Sequence, residues 1–228
     1  MKTARALKRY ALPSVAALTV AIGLVGAMHL KAARPLLAML GVPCPVDSTT
    51  AAQVSALRAS GLAQLRASQP APARPLPGGF VLDGTTTTEA VRWAHENGVA
   101  CDTVTHGYNY LRCRGVDARK LGLAGPPVSE LWLSFGPSGR LVGVDIYRRG
   151  MNASDTTTAW NGATHALRDA LGTPTATMGD ASPQVLSQSP LQTARLQYRF
   201  SDYLAIVTAS NLPYAGLAVR EQYMSSRI

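Results

Sequence analysis

The chain has little of what usually marks catalysis. Its 228 residues include three cysteines and four histidines, and only 13 acidic side chains stand against 22 basic ones. No Gly-x-Ser-x-Gly elbow, His-Glu-x-x-His helix, Walker loop or Gly-x-Gly-x-x-Gly loop occurs, so the common hydrolase, zinc-protease, nucleotide and dinucleotide chemistries have no motif to rest on. Asp83, Glu89 and Glu96 are the closest-spaced acids, and capping accounts better for Glu89. The reading therefore assigns no catalytic residue, no metal and no cofactor. What is present is ordinary globular composition. Apolar residues make up 46% of the chain, too many for a wholly disordered polypeptide and enough for one or two small domains.

The net charge of +9 invites a nucleic-acid reading, and its distribution argues against one. Residues 1–34 hold six basic residues and no acid, whereas residues 35–228 hold 16 basic and 13 acidic. The excess brackets residues 11–30, ALPSVAALTVAIGLVGAMHL, which lack Lys, Arg, Asp and Glu. Twenty helical residues span about 30 Å, the thickness of a bilayer core. Lys2, Arg5, Lys8 and Arg9 precede the segment, and only Lys31 and Arg34 follow it. The more basic flank stays inside. The expectation is a single-pass anchor in a bacterial inner membrane, with the amino terminus cytoplasmic and the rest periplasmic. A cleaved signal peptide is the rival, with Val25-Gly26-Ala27 as its best site, although that site lies inside the apolar run. Cys44 follows Gly41-Val42-Pro43, which does not resemble a lipoprotein signal.

Four regions follow. Residues 1–34 are the basic tail and anchor. Residues 35–79 are a juxtamembrane part, with a helix over 48–67 carrying Val54, Leu57, Leu62 and Leu65, then the linker SQPAPARPLPGG with four prolines and two glycines. Residues 80–150 and 151–228 are the folded part, expected as two α+β units in tandem. In the first, Thr86 and Glu89 have capping-box spacing, Val91 and Ala94 begin a stripe, and Gly98 stops the helix. In the second, the helix opens at Asp155. Trp160, Ala163, Leu167 and Leu171 form its stripe, and Gly172 with Pro174 ends it. Strands follow each helix. LWLSF (131–135) corresponds to LQYRF (196–200), and the first unit has a further strand over Tyr108 to Arg114.

Strand alternation assigns faces. A four-residue turn over Gly136–Gly139 places Phe135 opposite Arg140, Leu133 opposite Val142, Trp132 opposite Gly143 and Leu131 opposite Val144. Leu131, Leu133, Phe135, Val142 and Val144 then face the core. Glu130, Trp132, Ser134, Asp145, Tyr147 and Arg149 face away. In the second unit, with a turn at Ser201-Asp202, Leu196, Tyr198, Phe200, Ala205 and Val207 face inward, and Arg195, Gln197 and Arg199 outward. Trp, Tyr and Arg on an open sheet face make a protein-binding composition, so Trp132, Tyr147, Arg149 and Arg199 are the candidate contacts. The competing reading has Trp132 covering Gly143 and packing against the neighbouring unit.

Export favours a disulfide between Cys101 and Cys113, pinning helix to sheet, with Cys44 left over. The alternative is a zinc site from His95, Cys101, His106 and Cys113, whose spacing fits no standard pattern. Asn152-Ala153-Ser154 is a formal glycosylation sequon.

Three stretches together, Gly84-Thr-Thr-Thr-Thr-Glu89 before a helix, Leu171-Gly172-Thr173-Pro174 after one, and LWLSFGPSGRLVGVD (131–145), resemble the BamE/SmpA group and the related β-lactamase-inhibitor-protein-like domains. The resemblance implies one or two helices on an antiparallel sheet, and action by binding other proteins, in outer-membrane assembly or as inhibitors. The chain departs from the group in having an apolar anchor where a lipidated cysteine is usual, and shorter helices. No functional residue is carried over. The expected partners are the lipid bilayer, through residues 11–30, and another envelope protein, with no nucleic acid. The expected role is an accessory or inhibitory one. An exported zinc-dependent hydrolase and a small-ligand-binding ectodomain are the alternatives.

Overall fold

A computed structural model describes residues 51–106 and 108–226. The expected membrane span, its flanking charges and Cys44 lie outside the described residues. Among the described residues no helix is long and apolar enough to cross a membrane. The architecture is α+β. The elements in chain order are α1 (Ala51–Leu65), α2 (Thr87–Glu96), β1 (Cys101–His106), β2 (Tyr108–Val116), β3 (Val128–Phe135), β4 (Leu141–Met151), α3 (Ala153–Leu171), β5 (Ala176–Met178), α4 (Pro183–Leu186), β6 (Thr193–Arg199), β7 (Tyr203–Leu212) and β8 (Gly216–Ser225). The strands form one antiparallel eight-stranded sheet in the order β1-β2-β3-β4-β8-β7-β6-β5. Pairing of β4 with β8 makes the sheet continuous between the first four strands and the last four.

Helices α2 and α3 begin where short polar side chains satisfy free amides. At α2 the Thr86 hydroxyl accepts from Glu89 N, and the Glu89 carboxylate accepts from Thr86 N at 2.7 Å, a complete capping box. These bonds, first that from the Thr86 backbone, hold the Glu89 carboxyl below its ordinary range. Its buried stripe is Ala90 and Ala94 rather than Val91 and Ala94, because Val91 turns to solvent. Trp93 instead meets Phe80 edge-on at 4.9 Å. Helix α3 starts at Ala153, two residues before the expected Asp155. Asn152 is the cap, its Oδ1 accepting from Asp155 N at 2.8 Å. Ala159, Ala163, Leu167 and Leu171 are its buried face, and Trp160 packs at the margin. The buried hydroxyls of Thr156 and Thr164 donate to carbonyls one turn back, so neither is unsatisfied. Gly172, at φ 76°, caps the end, and Tyr198 Oη donates to its carbonyl.

The β3–β4 register differs from expectation. Phe135 faces Leu141, Ser134 faces Gly143, Trp132 faces Asp145 and Leu131 faces Ile146, with a bulge beyond Ser134. Arg140 is not a partner of Phe135. It bridges to Thr86, and its guanidinium donates to Gly84 O. The bulge takes up Val142, so Leu141 replaces it in the core. Beyond the bulge the slip is two residues, and an even slip leaves each side chain on its assigned face.

Helix α3 packs on β7 and β8, and its buried face joins one core with Leu131, Leu133, Val144, Ile146, Leu196, Val207 and Val219. This is the covered face. Within it, among the described residues, one ion pair joins the neighbouring strands β4 and β8. Arg148 Nη1 lies 3.3 Å from Glu221 Oε1, both side chains at 2% exposure or less, and Tyr223 Oη donates to Glu221 Oε2 at 2.7 Å. Burial pushes the Glu221 carboxyl up, opposed by Arg148 and the tyrosine bond.

The proline-rich segment does not hang free of the domain. Ser201 N donates to Gln69 O, Ala71 N to the Asp202 carboxylate and Tyr203 Oη to Pro75 O, while Arg74 pairs with Asp83 at 2.6 Å. Its composition describes its extended conformation. Its docking comes mainly from backbone groups, with the Arg74 side chain added, and composition does not reveal it.

Candidate functional site

The opposite face of the sheet holds every candidate contact. Read across the strands from β1 to β6, one row is Asp102, Arg112, Trp132, Asp145, Gln222, Ile206, Gln197. The next, from β2 to β6, is Arg114, Glu130, Tyr147, Arg220, Thr208, Arg195. Neighbouring side chains in a row are about 5 Å apart, close enough to pair directly.

They do pair. Arg112 donates to Glu130 Oε1 at 2.7 Å, and its guanidinium lies 4.8 Å over the Trp132 ring. The Trp132 indole N–H donates to the other Glu130 oxygen at 2.8 Å, and Tyr110 meets the indole edge-on at 5.9 Å. Arg220 grips Asp145 Oδ1 through Nε and Nη2, and it shares the Tyr147 ring with Arg149, at 4.8 and 5.0 Å. Arg149 also comes within 3.8 Å of Glu130. Partial burial acts to raise the Glu130 carboxyl. The bonds from Arg112 and Trp132, with the charges of Arg112 and Arg149, outweigh it and hold the group below its usual range. Burial likewise raises the Tyr147 phenol, with Asp145 adding and the two arginines opposing.

Trp132, Tyr147 and Arg149 are thus brought together on β3 and β4. Arg199 is not with them. It lies on β6 in the row of Ser134 and Gly143, bonded to Gln197 at 3.1 Å. The reading that Trp132 covers Gly143 is corrected. Trp132 lies opposite Asp145 and is partly exposed, and a side chain at Gly143 would meet Arg58 and Ser134. Arg58, from α1, reaches this end of the face, where it donates to Val142 O at 2.6 Å and lies 5.5 Å over Tyr108. Leu62 of α1 is buried, whereas Leu57 is 68% exposed, so the expected stripe is not one buried face.

Sequence reasoning missed Tyr110, Arg112 and Arg220. The first two were within reach, since Tyr110, Arg112 and Arg114 alternate along a strand already expected. Arg220 needed β8, a strand not foreseen.

Cys101 and Cys113 form a disulfide. It joins neighbouring strands β1 and β2, where the two residues are direct partners, and does not link helix to sheet. With both sulfurs bonded to each other, the set His95, Cys101, His106, Cys113 has no thiolate to offer zinc. Among the described residues no cluster of three His, Cys, Asp or Glu is placed to hold a metal. Compared with known proteins, the chain matches no family model, no curated protein and no solved structure.

Proposed function

We propose that the chain is a membrane-anchored, exported protein-binding module that acts in a bacterial envelope as an accessory or inhibitory factor. The observation that carries the reading is the sheet face opposite α3, where Trp132 and Tyr147 lie partly exposed, held by stacked guanidiniums and, at Trp132, a bonded carboxylate. Half-exposed aromatic rings fixed in this way lose little freedom on docking, and Trp, Tyr and Arg dominate interface energetics. The disulfide supports an oxidising compartment, and the charge asymmetry about residues 11–30 supports an anchor with the domain outside. A helix followed by four strands occurs twice along the chain, the second time with the short helix α4 between β5 and β6. It supports a duplicated unit and, with it, the resemblance to BamE/SmpA-like and β-lactamase-inhibitor-protein-like domains.

The test is affinity capture of the tagged full chain from detergent-solubilised membranes of its host, beside the Trp132→Ala/Tyr147→Ala variant. A stoichiometric partner lost in a variant that still folds is the expected result. Unfolding of the variant, or no partner even after crosslinking in intact cells, overturns the reading.

A further inference from the structure

The same face also carries information about its partner's chemistry, an inference that rests on the protein-binding reading above. Its acids lie deep and its bases lie outside. The Glu130 and Asp145 side chains are 17% and 21% exposed, against 43% for Arg149 and 40% for Arg220. Arg195 is exposed, two strands beyond Arg220 in the same row, and has no ion-pair partner among the described residues. The exposed acid of this face, Asp102, sits on the edge strand β1 against Arg114. The accessible charge around Tyr147 is therefore positive, although carboxylates lie beneath it.

The geometry separates protein from nucleic acid. Single-stranded nucleic acid needs open ring faces on which bases stack. Here guanidiniums lie over Tyr147 and Trp132, and Glu130 and Asp145 repel phosphates at the centre of the patch. Protein carboxylates suit it better. Stacked guanidiniums are pre-oriented, and their remaining N–H groups present a fork that matches a carboxylate.

We propose that this face docks a carboxylate-rich segment of a partner protein, with Arg149, Arg220 and Arg195 as the charge contacts and the Tyr147 ring at the centre. From β4 to β6 is three strand spacings, about 14 Å, a reach that two to three turns of an acidic helix cover.

The probe is a fluorescently labelled decaglutamate peptide, read by anisotropy against the full chain in detergent. The wild type binds it at low salt and releases it at high salt. Arg149→Gln/Arg195→Gln leaves the Arg220–Asp145 pair intact and weakens binding about tenfold, two exposed charge contacts' worth. Arg119→Gln, on a short 3-10 helix between β2 and β3, leaves it unchanged. Unaltered binding in the double variant overturns the proposal, as does oligothymidylate of equal length binding as tightly as decaglutamate. A photocrosslinker at Thr208, between Arg220 and Arg195, separates the two readings in cells. Capture of an Asp/Glu-rich segment supports the proposal. Capture of a neutral or basic segment overturns it and leaves protein docking standing. A partner lost with Trp132 and Tyr147 but never captured at Thr208 also overturns it.

Discussion

Among the described residues a single ion pair on the covered face of the sheet, Arg148 with Glu221, is shut away from water and shares its site with one tyrosine hydroxyl. On the open face four ion pairs lie within reach of solvent, interleaved with half-exposed rings. Strands β4 and β8 contribute to both, alternate residues turning one way or the other. The difference lies in what a missing partner costs. A buried charge has no substitute for its counter-ion, so one defect there is expensive. An exposed charge has water, so the open face can exchange its partners for those of another molecule at little cost. The covered face fixes the fold, and on the reading proposed above the open face is the one that binds.

The largest test of that contrast is Arg148→Met. It strands Glu221 in the core and should cost about 3–5 kcal/mol in denaturant unfolding. Arg148→Met/Glu221→Gln removes both charges and keeps an acceptor for Tyr223, so it should recover more than half of the loss. A double variant no better than the single one would show that shape, not charge, matters at this site. Next is the disulfide, which lies at the margin of the covered face. Cys101→Ala/Cys113→Ala should cost about 3 kcal/mol by loop entropy. Because β1 is an edge strand, the loss should appear first as faster amide exchange in β1 and β2. Smaller again is the open face itself. Trp132→Ala or Tyr147→Ala should each cost about 1 kcal/mol in stability, the value of a cation–π contact with its packing, while abolishing partner capture. A loss as large as that of Arg148→Met would make these residues core and erase the distinction between the faces.

How much of this was legible depends on which forces shaped each part. The α2 capping box, the α3 stripe and the outward set on β3 and β4 follow from local chemistry and alternation, and both can be read from residue order. The β3–β4 register was missed by two residues because Arg140 and Leu141 pair with the distant segment 83–86 at the bulge, yet the faces survived. Strand β1, CDTVTH, carries no run of alternating apolar residues, since an edge strand buries little. The docking of the proline-rich segment rests largely on the carbonyls of Gln69 and Pro75 and the amide of Ala71, backbone groups that carry no sequence signal, with the Arg74–Asp83 pair beside them. The site was half legible. Trp132, Tyr147 and Arg149 were visible on their own strands, but the arginine that completes the pair around Tyr147 comes from β8, 73 residues along the chain from it.

The smallest expected effect is the most diagnostic, because the two faces should answer acid with opposite signs. Glu130 on the open face is held below its ordinary range: burial pushes it up, but the bonds from Arg112 and Trp132 outweigh that. A depressed carboxylate adds stability above its unfolded value, near 4.3, and loses that contribution as pH falls through the folded value. Glu221 on the covered face is raised by burial. The native state then holds the proton more tightly than the unfolded chain does. Its contribution is present below the unfolded value and is lost as pH rises through the folded one. Glu130→Gln should therefore flatten the loss of stability on the acid side of pH 4. Glu221→Gln should flatten a decline that sets in as pH rises from there towards neutrality. Denaturant midpoints of the wild type and both variants between pH 3 and pH 8 give the comparison. The indole N–H resonance of Trp132, bonded to Glu130, gives an independent local readout. It should move in the acid range in the wild type, stay still in Glu130→Gln and be untouched by Glu221→Gln. If both variants shifted the profile in the same direction, the division of labour between the faces would have to be abandoned.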